Sequence, residues 1–246
     1  GWAWVQALAD GYVGWTRAAG LAEGFADVTH HVNVPRTFVY PGPDLRFPAN
    51  GDLSMGSRVR VSGEAETRGT GYALLESGGA VIARHLSPKG QPCTDPVTVA
   101  RQFLGTPYLW GGASGSGLDC SGLVHLAMRM CGRAVLRDSD MQAATIGDPV
   151  DAGDDFGDLR KGDLAFWRGH VGFIDEDRTL LHASGHTMQV TIEPLVDAVE
   201  RIARLYERPI GFRRPREQQP GISTRHSDRP GSPVAGRHRN RSSGGP

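Results

Sequence analysis

One change of hydrophobic period, between residues 97 and 210, constrains this chain more than any other feature. Up to about residue 147 the apolar residues recur at helical spacing, and from Lys161 onward they read as strands. Asp95 is placed to cap a helix that has Pro96 at its first position and Gly105 just past its end. A second helix is expected to start at Cys120 with Asp119 as its cap. It carries Leu123, Val124, Leu126, Ala127 and Met130 at helical spacing and stops at Gly132. A short third helix covers about 140–146 and ends at Gly147, and strands follow at 164–167, 171–174, 179–183 and 189–192. Helices first and antiparallel strands second predict an α+β domain, with helices packed on an antiparallel sheet.

The flanking regions differ in texture. Residues up to 86 hold short alternating stretches around Trp2-Ala3-Trp4-Val5, Thr37-Phe38-Val39-Tyr40, Arg58-Val59-Arg60-Val61 and Tyr72-Ala73-Leu74-Leu75. Ser77-Gly78-Gly79-Ala80 reads as a hairpin turn between 72–76 and 81–85, and such closely spaced strands suggest a small β-barrel. Residues 87–96 are polar with three prolines and read as a linker. Residues 216–246 are rich in Pro, Gly, Ser and Arg without periodicity and read as a mildly basic disordered tail.

Composition excludes several classes. With 27 basic against 27 acidic residues there is no excess charge for nucleic acid, and no apolar run approaches a membrane span. Three cysteines (Cys93, Cys120 and Cys131) make no disulfide framework, and there is no CxxC for a zinc ribbon. The chain opens Gly1-Trp2-Ala3-Trp4 and reads as a fragment whose start lies upstream, so an export signal is left open.

Leu118-Asp119-Cys120-Ser121-Gly122-Leu123-Val124 is the sharpest chemical signal. A cysteine on the first turn of a helix meets unpaired N–H groups and a dipole that favour a thiolate. A buried, inert cysteine fits the same local sequence. A nucleophile needs a base, and His170 and His182 flank an expected hairpin. A turn centred on Glu176 sets His170 opposite His182 on one face, and an even-numbered loop would separate them. A cysteine with two such histidines fits a nucleophile, base and orienter. Zinc is the competing reading, but separations of fifty and then twelve residues are not a compact ligand spacing, so no metal or other cofactor is expected. The glycine-rich Thr106-Pro107-Tyr108-Leu109-Trp110-Gly111-Gly112 lets backbone approach a ligand, and the Tyr108 hydroxyl suits an oxyanion.

Four blocks together resemble the NlpC family of papain-like cell-wall peptidases. They are 103–112 (Phe-Leu-Gly-Thr-Pro-Tyr-Leu-Trp-Gly-Gly), 118–124, Lys161-Gly162-Asp163-Leu164 through His170-Val171-Gly172, and Leu181-His182-Ala183. The resemblance covers about 97–210 in unbroken order. It implies Cys120 as nucleophile, His170 as base, His182 as third polar residue and Tyr108 as the hydroxyl near the oxyanion. The first region resembles bacterial SH3-like barrels. The implied organisation is the end of a first barrel at 1–28, a second at 29–86, a linker at 87–96, the peptidase domain at 97–215 and the tail at 216–246.

Within the family the arrangement resembles gamma-D-glutamyl-L-diamino acid endopeptidases of muropeptide recycling. That implies Asp119, Ser121, Ser139 and Tyr12 at the end of the cleft that receives a free N-terminal L-Ala. The expected partner is a peptidoglycan stem peptide, with no nucleic acid, membrane or obligate protein partner. An endopeptidase of intact wall and a catalytically weak wall-binding module are the alternatives. A free thiol and a soluble peptide substrate favour the cytoplasm, and wall chemistry favours the periplasm or secretion.

Overall fold

Asp95 starts the first helix as its position predicts. Its carboxylate accepts from the Val97 N–H at 2.9 Å, and α1 runs Pro96–Arg101. The computed structural model describes residues 1–24 and 27–216, so the expected tail lies, beyond Arg216, outside the described residues.

Asp119 likewise caps α2 (Cys120–Met130), accepting from the Gly122 N–H at 2.7 Å. Gly132 just past its end is left-handed (φ 71°), a conformation glycine adopts without steric cost. The third helix, α3 (Ser139–Thr145), falls one residue earlier than expected and ends before a left-handed Gly147.

The strands form one six-stranded antiparallel sheet. We number them β1 (Asp148–Val150), β2 (Leu164–Trp167), β3 (His170–Asp175), β4 (Thr179–Ser184), β5 (Gln189–Pro194) and β6 (Gly211–Arg214). Their spatial order is β1-β6-β2-β3-β4-β5. The edge strand β1 and its neighbour β6 were not expected. Neither was a fourth helix, α4 (Leu195–Leu205), although Leu195, Ala198, Val199 and Ile202 repeat at i, i+3, i+4 and i+7 and are buried.

That helix explains why β2 is apolar at every position. Leu164 and Phe166 join one core with α1 and α2, while Ala165 and Trp167 join a second core with α4. A sheet covered on both faces has no reason to alternate polar and apolar.

The β3–β4 hairpin corrects one expectation. The ladder pairs Phe173 with Leu181 and Asp175 with Thr179, so it is centred on Asp177 rather than Glu176. Asp177 and Arg178 take left-handed φ values (55° and 54°) within the 3₁₀ turn Glu176–Arg178. The register continues to Gly172 opposite His182, which puts His170 diagonal to His182. The loop remains odd-numbered, and both rings stay on one face.

The N-terminal region is rich in short strands. Val32, Val59, Ala73, Leu75, Val81 and Leu86 form its core. Gly78 and Gly79, both at positive φ, turn the chain between Thr70–Leu75 and Ala80–Ile82. Leu86–Pro88 pairs with His30–Val32, so Ser87 and Pro88, read from sequence as the start of a linker, belong to this ladder. Ahead of it, Trp2–Gln6 pairs with Val13–Arg17, and Trp4 meets Trp15 edge-on at 5.3 Å. Among the described residues no helix is long and apolar enough to cross a membrane.

Candidate active site

Cys120 is the first residue of α2, and its sulfur rests against the start of β3. The thiol donates to the Gly169 carbonyl at 3.7 Å and accepts from the Val171 N–H. It therefore touches backbone on both sides of His170. Burial pushes the thiol above its ordinary value and Asp119 adds to this; the N–H groups of Val171, Ser121 and Cys120 oppose it without reversing it. Burial thus works against the thiolate that the helix start favours.

Glycines bring the backbones this close. A Cβ on Gly122 would lie 2.2 Å from the Gly112 carbonyl oxygen, and one on Gly112 would lie 2.5 Å from that of Gly117. The Gly112 segment can therefore pack directly on the first turn of α2.

His170 Nε2 lies 2.7 Å from His182 Nδ1. Gly172, across the ladder from His182, makes the diagonal approach possible. A Cβ there would come within 2.8 Å of Leu180 and 2.9 Å of the His182 Cβ. Burial pushes the His170 ring below its ordinary value, and the neighbouring His182 and Arg201 add to this, so the ring rests neutral.

His182 is 1% exposed, and its Nε2 lies 2.8 Å from Glu193 Oε1. Glu193 is also paired with Arg201 of α4. Burial works to raise the Glu193 carboxyl, but the hydrogen bonds and charges of His182 and Arg201 outweigh it and hold the group low. The sequence reading missed both residues. The available signal was a charged residue inside an apolar strand, two positions beyond Thr191, the ladder partner of His182.

Tyr108 is held by both neighbours of the site. Its N–H donates to the Met188 carbonyl at 2.9 Å, and Leu109 and Leu118 are joined at 3.0 Å just before Asp119. Burial, with Cys120 and Asp119 nearby, pushes the Tyr108 phenol up to about 12, so it is a hydroxyl donor at any ordinary pH.

A cleft of about 580 Å³ opens in front of the sulfur. Tyr12, Tyr108, Asp119, Cys120, Ser121 and Ser139 all line it, so the structure brings these sequence-predicted residues together. His170 and His182 stand outside that lining, in the sheet.

Asp119 has every acceptor position occupied. One oxygen accepts from the Gly122 N–H (2.7 Å) and the Ser121 hydroxyl (3.4 Å), the other from the Gly111 N–H (2.9 Å) and Arg137 (2.8 Å). Arg137 also donates to Ser121 Oγ at 2.8 Å. Asp138, which sequence reasoning did not single out, lines the cleft, and its carboxylate accepts from the Tyr12 hydroxyl at 3.3 Å. Its charge raises the Tyr12 phenol. With Arg137 committed to Asp119, Asp138 and Asp140 leave this end of the cleft acidic. Among the described residues no group of three or more His, Cys, Asp or Glu is placed to hold a metal ion.

Comparisons with known proteins show what the chain is similar to. The profile of the NlpC/P60 family matches residues 105–202. A gamma-D-glutamyl-L-lysine dipeptidyl-peptidase of Bacillus cereus is 30% identical over 206 residues, covering 76% of this chain and 60% of that protein. A probable endopeptidase of Corynebacterium glutamicum is 37% identical over 117 residues, covering 46% of this chain and 52% of that protein. The chain thus spans about half to three-fifths of the length of these relatives. A crystal structure of an NlpC/P60 family protein from Bacillus cereus superposes with a TM-score of 0.68 at 26% identity, covering 87% of this chain and 75% of that one.

Proposed function

We propose, on the match of residues 105–202 to the NlpC/P60 family, that this chain is a cysteine peptidase of peptidoglycan stem peptides. It cuts the bond between the side-chain carboxyl of D-glutamate and the L-diamino acid, and it takes peptides with a free N-terminal L-Ala. The observation that carries the reading is the Cys120 sulfur seated between Gly169 and Val171, with His170 linked onward to His182.

His170, neutral at rest, takes the thiol proton as Cys120 attacks the carbonyl carbon. The Cys120 N–H and the Tyr108 hydroxyl receive the oxyanion; one such donor typically contributes about 2.7–4 kcal/mol to the transition state. The imidazolium of His170 then protonates the departing amine of the diamino acid. Water, deprotonated by the same ring, attacks the thioester, releases the dipeptide L-Ala-D-Glu and restores the thiol.

The acidic end of the cleft suits a substrate ammonium. Asp138, held by Tyr12, supplies the carboxylate. Asp119 and Ser121, tied together through Arg137, shape the wall, and Ser139 offers a hydroxyl beside it. The test is turnover of L-Ala-γ-D-Glu-diamino acid peptides by wild type and Cys120→Ala, with N-acetylated peptide and purified sacculi as further substrates. Hydrolysis lost in Cys120→Ala and confined to the free-amine peptide is the expected result. Undiminished turnover in Cys120→Ala would end the mechanism, and equal rates on the acetylated peptide would end the amine preference.

A further inference from the structure

The polar chain that begins at His170 crosses three adjacent strands and ends on α4. Its links are His170 Nε2 to His182 Nδ1 at 2.7 Å, His182 Nε2 to Glu193 Oε1 at 2.8 Å, and Glu193 to Arg201. We infer that Glu193, neutralised by Arg201, is a positioning residue that dictates which nitrogen of His170 is free to accept a proton. The inference deepens the peptidase reading and rests on it.

The argument follows from what each group can donate. A carboxylate only accepts, so His182 must carry its proton on Nε2. A neutral His182 with a proton on Nε2 presents a bare Nδ1. His170 can fill that contact only by donating, which places its own proton on Nε2. The remaining nitrogen of His170, Nδ1, is then unprotonated and is the base. During attack the proton passes from Sγ to His170 Nδ1. The resulting imidazolium keeps donating through Nε2 to His182, and no proton leaves the chain.

Arg201 has a separate task. The guanidinium pairs with the Glu193 carboxylate and fixes it against His182 Nε2, so the acceptor that sets the His182 tautomer stays in place. Its position on α4, packed over β4 and β5, makes the helix part of the catalytic support.

Two-bond ¹H–¹⁵N spectra of the imidazoles in the full chain test this without substrate. In wild type both His170 and His182 are expected as Nε2–H tautomers. In Glu193→Leu the His182 tautomer is expected to change and that of His170 to follow, with kcat falling about 10–100-fold and KM nearly unchanged. Glu193→Gln, which keeps an acceptor oxygen, is expected to retain the wild-type tautomers and most of the turnover. A His170 carrying its proton on Nδ1 in wild type would overturn the inference, even if Glu193→Leu failed to fold. So would unchanged tautomers and kcat in a folded Glu193→Leu. Wild-type tautomers as described, with no hydrolysis of any stem peptide, would count against the substrate reading and leave the relay standing.

Discussion

Asp10 Oδ2 lies 2.9 Å from His125 Nε2, and both side chains are less than a tenth exposed. The contact is close but bent, so it satisfies the ring nitrogen poorly. The other oxygen of Asp10 accepts from the Tyr12 N–H at 3.1 Å. A turn of the N-terminal hairpin is thereby fastened to α2, the helix that starts with the nucleophile. Tyr12 is delivered to the cleft by that fastening.

Asp10→Ala is therefore expected to act at a distance from the chemistry. It should cost about 1–2 kcal/mol of stability, since a buried imidazole loses its polar partner. It should raise KM for free-amine peptides more than it lowers kcat. Steady-state kinetics with a parallel urea melt measure both. A KM equal to wild type would show that Tyr12 holds its place without Asp10.

Stability should fall as the solution is acidified from pH 7.5 to 5. His31, His85, His125 and His170 are all pushed below the ordinary value of 6.5, burial being the first cause in each. In the unfolded chain these rings take protons as the pH passes 6.5, while in the folded chain they take them only at lower pH. The unfolded state then binds more protons, and unfolding is favoured. The stabilising carboxylates Asp44, Asp95, Asp148 and Glu193 are all held low and do not titrate in this window. Urea midpoints at pH 7.5, 6.5 and 5.5 should decline in that order, and a flat series would contradict the assignment of neutral buried rings.

The resting Cys120 should be protonated at neutral pH. Difference absorbance near the thiolate band, wild type minus Cys120→Ala, should rise only above the ordinary thiol value of 9.0. An inflection below pH 7 would mean that sulfur and imidazole rest as an ion pair.

Gly122→Ala should be among the most damaging single methyl additions in the domain. The added carbon would meet the Gly112 carbonyl oxygen at 2.2 Å and Asp119 Oδ1 at 2.8 Å. Both are backbone or capping atoms with little freedom to yield, so a loss of about 1–3 kcal/mol is expected, together with displacement of Cys120. A thermal melt and the peptide assay measure the two effects. Gly14→Ala, with open space around its Cβ direction, serves as the control that should change neither.

What was legible from sequence was mostly local chemistry. Asp95 before Pro96 and Asp119 before Cys120 announce helix starts because a cap bonds to N–H groups two or three residues away, and both bonds are present. The central strands were readable from their apolar runs. The hairpin centre was misplaced by one residue because Asp177 and Arg178 adopt left-handed backbone without a glycine to signal it. Glu193 and Arg201 were not found because their role shows only when β4, β5 and α4 are packed together, and Asp138 because its partner Tyr12 lies 126 residues away. The periodicity of α4 was present at Leu195, Ala198, Val199 and Ile202, but it follows a strand without a capping side chain to mark the change.

Helix α2 carries Cys120 at its first residue and receives Asp10 little more than a turn later, at His125. Reactivity and selectivity are thus mounted on one rigid rod. The N-terminal hairpin cannot be exchanged for another as an independent cassette, because a graft that misplaces Asp10 disturbs the same lever that aims the sulfur. Variation in what such a molecule accepts is channelled into the side chains that face the cleft, at Tyr12 and Asp138, rather than into the turn that carries Asp10.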